Sequence, residues 1–172
     1  MTLRLSEIDT PVGRLLAALD AEGRIRRIAF VRDTPAAAVA HGVARTEGET
    51  VVWEPEAGES LARELTEYFD GGRRTFDLPV DPRGTDFDLR VWDALREIPY
   101  GQTMSYGDVA ARLGEPGAAR AVGRACALNP VPILIPCHRL VGAGGRLTGY
   151  AGGLDAKRHL LGLEGALPKT LW

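Results

Sequence analysis

Two cysteines and three histidines among 172 residues are a small stock of disulfide-forming and metal-binding side chains. A chain of this length buries a core without covalent staples, so a disulfide scaffold is not expected. No cysteine or histidine pair stands at zinc-site spacing, and the set Cys126, His138 and His159 would have to be gathered by folding, so no metal is expected. Long apolar runs are missing too. None approaches the length of about 20 residues needed to span a bilayer, and the N-terminus lacks a charged-then-apolar leader. No membrane association is expected, and the reduced cysteines suit a cytoplasmic protein. Charge is nearly balanced at -2, which argues against a protein that coats nucleic acid non-specifically.

That balance hides a local excess. Residues 101–150 hold Arg112, Arg120, Arg124, Arg139 and Arg146 against only Asp108 and Glu115. A basic face on an otherwise acidic body would direct a polyanion to one place, although five arginines are also compatible with ordinary solvated surface.

The densest chemistry lies in Ile133-Leu134-Ile135-Pro136-Cys137-His138-Arg139-Leu140. The apolar triplet predicts a buried strand, ended by a proline that cannot extend the ladder, with Cys137 where the backbone turns. A thiol becomes a nucleophile as thiolate, and His138 and Arg139 are neighbours of the two kinds that lower its pKa from about 8.5. A buried cysteine is also commonly a small hydrophobe, so the flanks carry the reading.

The first third predicts an antiparallel meander. Leu3, Leu5 and Ile8, then Leu15 to Leu19, then Ile25 to Val31 are separated by turn sequences at Pro11-Val12-Gly13 and Asp20-Ala21-Glu22-Gly23. Pro35 to Val43 reads as a short helix, and Glu56 to Phe69 places Leu61, Leu65, Tyr68 and Phe69 at helical spacing. Two prolines and a glycine within Leu78–Gly84 predict a connection between a domain at 1–80 and a second at 85–172. In the second, Thr85 and Ser105 are N-cap candidates for helices carrying Phe87, Val91, Trp92 and Leu95, and Tyr106 to Leu113. Gly114-Glu115-Pro116-Gly117 and a small-residue helix over 118–127 complete a helix-turn-helix pattern, a motif that by itself more often only packs. Asp155 is read as the cap of a last helix with Leu160, Leu161, Leu163 and Glu164.

Phe87 with Val91-Trp92, Ile98-Pro99-Tyr100-Gly101, Ser105-Tyr106, Ala118 to Gly123, Asn129-Pro130, Pro136-Cys137-His138-Arg139, Gly149 to Gly153, and Lys157 with Glu164 together resemble, in order and spacing, the O6-alkylguanine-DNA alkyltransferases. The resemblance is close over about 80 residues and looser over the first domain. It implies an α/β (α+β) protein, with a small ribonuclease-H-like domain built on an antiparallel sheet and a mostly helical domain with a helix-turn-helix. It implies a single-use transfer of the alkyl group from guanine O6 in double-stranded DNA to Cys137, with no cofactor, by a monomer. His138 would take the thiol proton, Glu164 would orient His138, and Tyr106 would protonate the departing guanine, with Lys157 close by and Asn129 supporting the turn before the thiol. Arg120 would enter the duplex from the minor groove and fill the place of the flipped nucleotide, with Ala119, Ala121, Gly123 and Arg124 on the DNA-facing helix. Pro136, Leu140, Tyr150 and Ala151 would form the alkyl pocket. Two positions depart from the family: Arg124 replaces a small or neutral residue, and Ala151 replaces the serine of some members, which leaves a backbone amide to meet guanine O6. A damage-binding module without transfer, and a cysteine hydrolase using Cys137, His138 and Glu164, are the alternatives.

Overall fold

Leu3 and Leu5 alternate with polar residues, and in the computed structural model, which describes residues 1–167, they lie on strand β1 (Thr2–Thr10) with no exposure to solvent. Positions 168–172 of the second expected domain lie outside the described residues. The chain divides into two compact units, Met1–Pro82 and Arg83–Trp172.

In the first unit β1 pairs antiparallel with β2 (Gly13–Leu19), and β2 with β3 (Ile25–Val31), as the turn sequences predict. Helix α1 (Ala36–Glu47) follows, and then a strand not anticipated from the sequence, β4 (Thr50–Trp53), which runs parallel to β1 at the sheet edge. The sheet order is β3-β2-β1-β4, so the expected antiparallel meander forms and carries one parallel strand added at its edge. Four residues with only Val51 facing the core leave too little alternation to be read as a strand. Leu3, Leu5, Leu16 and Ala18 pack with Ala40 and Val43 of α1 on one face. The other face carries Ser6, whose hydroxyl donates to the Pro55 carbonyl at 3.0 Å beside a short turn leading into α2 (Glu59–Phe69). Coverage of both faces explains why every residue from Leu15 to Leu19 is buried rather than every second one.

The second unit begins with α3 (Asp86–Arg96). Its cap is the expected one: Thr85 Oγ1 accepts from the Asp88 amide at 3.1 Å, and the Asp88 carboxylate accepts from the Thr85 amide at 3.3 Å. Ser105 and Asp108 repeat this arrangement at α4 (Tyr106–Arg112), which packs with α5 (Ala119–Ala127) as the helix pair. Trp92 of α3 is buried, and its indole N–H donates to the Ala125 carbonyl at 2.8 Å, tying α3 to α5. A two-residue parallel pairing joins β5 (Met104–Ser105) to β6 (Leu140–Val141), and α6 (Leu154–Leu163) follows. Gly153, not Asp155, is the N-cap of α6, because Asp155 already lies inside the first turn, where it pairs with Arg158 at 3.2 Å.

The strand expected over Ile133–Ile135 is instead a tight turn. Ile133 adopts φ 74°, Pro132 bridges Ile135, and the Ile135 amide donates back to the Val131 carbonyl at 2.9 Å. Two bonds from the Asn129 side chain close the same segment, the amide donating to Ile135 O at 2.8 Å and the carbonyl accepting from Val131 N at 3.0 Å. A left-handed β-branched residue costs about 1–3 kcal/mol. Complete or near-complete burial of Val131, Ile133 and Ile135 offsets that cost, so β-propensity is overridden by packing and by one asparagine. No described helix is long and apolar enough to cross a membrane.

Candidate active site

Cys137 opens the single turn Cys137–Arg139 that follows, with Pro136 as its N-cap, and its side chain reaches one wall of a cavity of about 400 Å³. Tyr106, Gly123, Cys126, Ala127, Asn129, Pro132, Gly149, Tyr150 and Ala151 line the rest. The expected pocket residues divide here. Tyr150 and Ala151 are in the wall, whereas Pro136 and Leu140 are buried behind it, Leu140 being taken up in β6. Cys126, Ala127, Pro132 and Gly149 were not anticipated. Nothing in their residue types separates them from packing residues, and only the Asn129 turn brings Pro132 round to face the thiol.

Behind Cys137 lies a buried charged network centred on Glu164. One carboxylate oxygen accepts from His138 Nε2 and Arg139 Nη2, both at 2.9 Å, and the other from Arg139 Nε at 2.8 Å. Arg139 spends a further donor on the Ile98 carbonyl at 2.7 Å. The turn after α3 can come this close to the end of α6 because residue 101 is glycine: it holds φ 83°, and a Cβ there would stand 2.9 Å from the Glu164 carbonyl. Burial alone would raise the Glu164 carboxyl, but the donors from His138 and Arg139 outweigh it and hold the pKa at about 2. His138 is fully buried, which depresses its pKa below 6.5 despite Glu164, so the imidazole is neutral at pH 7. Nε2 then carries the proton given to Glu164, and Nδ1 is the basic nitrogen, with no hydrogen bond to a described residue.

The Cys137 thiol is held below its ordinary pKa. The Cys126 thiol contributes most as a hydrogen-bond partner, burial opposes it, and the Asn129 amide and the Lys157 ammonium add to the lowering. The sequence expectation assigned this effect to His138 and Arg139. The structure corrects it, because His138 is neutral and Arg139 is turned to Glu164, leaving Lys157 as the nearby cation. Lys157 is 1% exposed, donates to the Leu140 carbonyl at 2.7 Å and the Thr148 carbonyl at 3.3 Å, and has its own pKa lowered by burial. It supports the backbone beneath the cavity and is not among the residues lining it.

Tyr106 is the first residue of α4, half-buried, with its ring beside Gly123 and its hydroxyl 2.5 Å from Thr148 Oγ1. Burial raises its pKa, with Thr148 opposing, so the phenol stays protonated at neutral pH. On α5, Ala119, Ala121 and Gly123 are partly exposed and Arg120 and Arg124 are exposed. These two arginines are four residues apart on one helix face, an arrangement of like charges that costs a few tenths of a kcal/mol unless a polyanion lies across it. Arg90, by contrast, is paired with Glu115 at 3.1 Å. Among the described residues, Cys126, His138 and His159 form no metal-holding cluster.

Two family models match the chain: the ribonuclease-like domain of 6-O-methylguanine DNA methyltransferase over residues 3–82, and its DNA-binding domain over residues 86–166. A methylated-DNA–protein-cysteine methyltransferase of Methanosarcina acetivorans is 42% identical over 158 residues, covering 92% of this chain and 96% of its own. The crystal structure of the Mycobacterium tuberculosis O6-methylguanine methyltransferase superposes with a TM-score of 0.82 at 42% identity, covering 97% of this chain and 96% of that one. The same Mycobacterium tuberculosis protein in complex with DNA gives a TM-score of 0.81 at 41% identity, over 96% of this chain and 94% of that one.

Replacing Glu164 with Gln should lower the unfolding free energy at pH 7 by roughly 3–5 kcal/mol, because Arg139 is left buried without its counter-charge. The sign follows from the depressed carboxyl: its contribution is complete above the ordinary value of 4.5 and is lost as pH falls towards 2. Denaturant unfolding at pH 7, 5 and 3 should therefore show the gap between wild type and Glu164→Gln narrowing in acid. A gap of constant size would contradict a charged Glu164.

Proposed function

The chain belongs to the 6-O-methylguanine DNA methyltransferase family, and from that premise we propose that Cys137 is the residue that takes the alkyl group when the protein repairs O6-alkylguanine in DNA by direct reversal. The observation that supports this most is the position of Cys137, 5% exposed in the wall of a cavity bordered by the helix that carries Arg120 and Arg124. A base within a duplex cannot bring O6 to a thiol so enclosed, so the nucleotide leaves the stack and enters the cavity, whose volume is within the range of small-molecule sites.

His138 Nδ1 takes the thiol proton, through a water, and the thiolate sulfur attacks the alkyl carbon as its bond to O6 breaks. The electron pair left on O6 is delocalised into the guanine ring, whose nitrogen receives a proton from Tyr106. Guanine and a thioether on Cys137 result. A thioether has neither a good leaving group nor a carbonyl for water to attack, so the thiol is not regenerated. Asn129 and Lys157 hold the backbone around the thiol and add to the lowering of its pKa, and Ala151 offers the substrate no side-chain hydroxyl. Arg120 enters from the minor groove and fills the vacated place, while Ala119, Ala121 and Gly123 allow close approach and Arg124 meets a phosphate. A working thiolate needs a reducing compartment, which suits a protein acting in the cytoplasm, and the single-use transfer is read as that of a monomer. A hydrolase would leave the exposed arginine pair without a role, and a binding module would leave the lowered thiol without one.

Incubation of a known amount of protein with excess O6-methylguanine duplex should repair one lesion per chain, with a single added methyl on the peptide containing Cys137 and none in Cys137→Ser. Repeated turnover would overturn the assignment. Arg120→Ala should slow duplex repair by at least tenfold, since extrusion costs a few kcal/mol that the wedge helps to offset, while reaction with free O6-benzylguanine stays near the wild-type rate. Equal losses on both substrates would remove Arg120 from the wedge role.

A further inference from the structure

Thr148 has no part in the transfer described above, yet its hydroxyl is hydrogen-bonded to the group assigned as proton donor. We propose that Thr148 is a positioning residue, fixing the Tyr106 hydroxyl so that its proton points into the cavity. The inference rests on the reading of Tyr106 as the donor.

The two hydroxyls lie 2.5 Å apart although 42 residues separate them in sequence. Thr148 is itself held at its carbonyl and its hydroxyl. Its carbonyl accepts from the buried Lys157 ammonium at 3.3 Å, and its methyl lies 3.2 Å from the place a Cβ at residue 142 would occupy, a place left free because that residue is glycine. Its hydroxyl is left to Tyr106. A β-branched side chain has a strongly restricted χ1, so the placement of the methyl also sets where the hydroxyl points. On the other side the Tyr106 ring is bounded by Gly123, 3.7 Å from the place a Cβ would occupy. Ring and hydroxyl are therefore both constrained before substrate arrives.

Each hydroxyl has one proton, and the single contact between the oxygens uses one of them. When Thr148 donates, the Tyr106 oxygen is the acceptor and its own proton is available to a guanine nitrogen in the cavity. As that proton leaves, negative charge grows on the tyrosine oxygen and the bond from Thr148 strengthens. An interaction stronger in the transition state than in the ground state appears in the rate of transfer and not in DNA affinity.

The test is a double-mutant cycle on the single-turnover rate of methyl transfer from O6-methylguanine duplex, with DNA affinity and melting temperature measured alongside. Thr148→Val keeps the shape and removes the hydroxyl, and should slow transfer by roughly tenfold at unchanged DNA affinity. Thr148→Ser should restore most of the rate, and Thr148→Ala takes the place of valine if the melt shows disturbed packing. In a Tyr106→Phe background, Thr148→Val should cost nothing further. Tyr106→Phe slow but Thr148→Val at the wild-type rate, or losses that multiply in the double mutant, would overturn the role of Thr148 alone. Tyr106→Phe at the wild-type rate would overturn the donor reading and this inference with it.

Discussion

A single buried carboxylate, that of Glu164, holds the working end of this protein in place. It accepts from His138 and Arg139 in the turn that begins at Cys137, and through Arg139 the same charge reaches the Ile98 carbonyl beyond α3. Burying an ion is unfavourable unless its hydrogen-bonding capacity is filled. Here three N–H donors converge on two oxygens, and the cost is offset well enough for the carboxyl to ionise far below its usual range. The charge also decides the chemistry next door, because it fixes the proton on His138 Nε2 and leaves Nδ1 basic.

Two further constraints place the nucleophile. Asn129 closes the turn through Ile133 that brings Pro132 into the cavity wall, just before the chain reaches Cys137. Lys157, buried under the backbone of Leu140 and Thr148, supplies positive charge without entering the cavity. The result is a thiol that ionises more easily than an ordinary cysteine while almost hidden from water, an arrangement that suits a nucleophile used once and guarded until the correct base arrives. The exposed arginines of α5 sit at the border of the same cavity, so attraction for a phosphate backbone and access to the thiol are coupled through one helix.

Much of this was legible in the residues. Capping boxes at Thr85 and Ser105 are local chemistry written within four residues, and both form as expected. The alternation of β1 and the turns after it gave the meander, and the blocks around Pro136–Arg139 gave the family. What failed was long-range or cooperative. Ile133–Ile135 has strand-forming side chains, yet Asn129, outside the triplet, fixes it as a turn. The thiol's cation was expected beside it in sequence at Arg139 and is Lys157 in space. Pro136 and Leu140 adjoin Cys137 in the chain and were expected in the pocket, but backbone turning takes both into the core. Thr148 could not be found from sequence at all, since its partner is 42 residues away and threonine carries no signature of such a role.

The central claim is that burial keeps His138 neutral while Glu164 fixes its one ring proton on Nε2, which leaves Nδ1 as the basic nitrogen. The most direct measurement is the pH titration of the His138 ring nitrogens by 15N NMR on the unalkylated protein. At pH 7 the ring should be the neutral Nε2–H tautomer, becoming cationic only below pH 6.5. An imidazolium at pH 7, or a proton on Nδ1, would contradict the account.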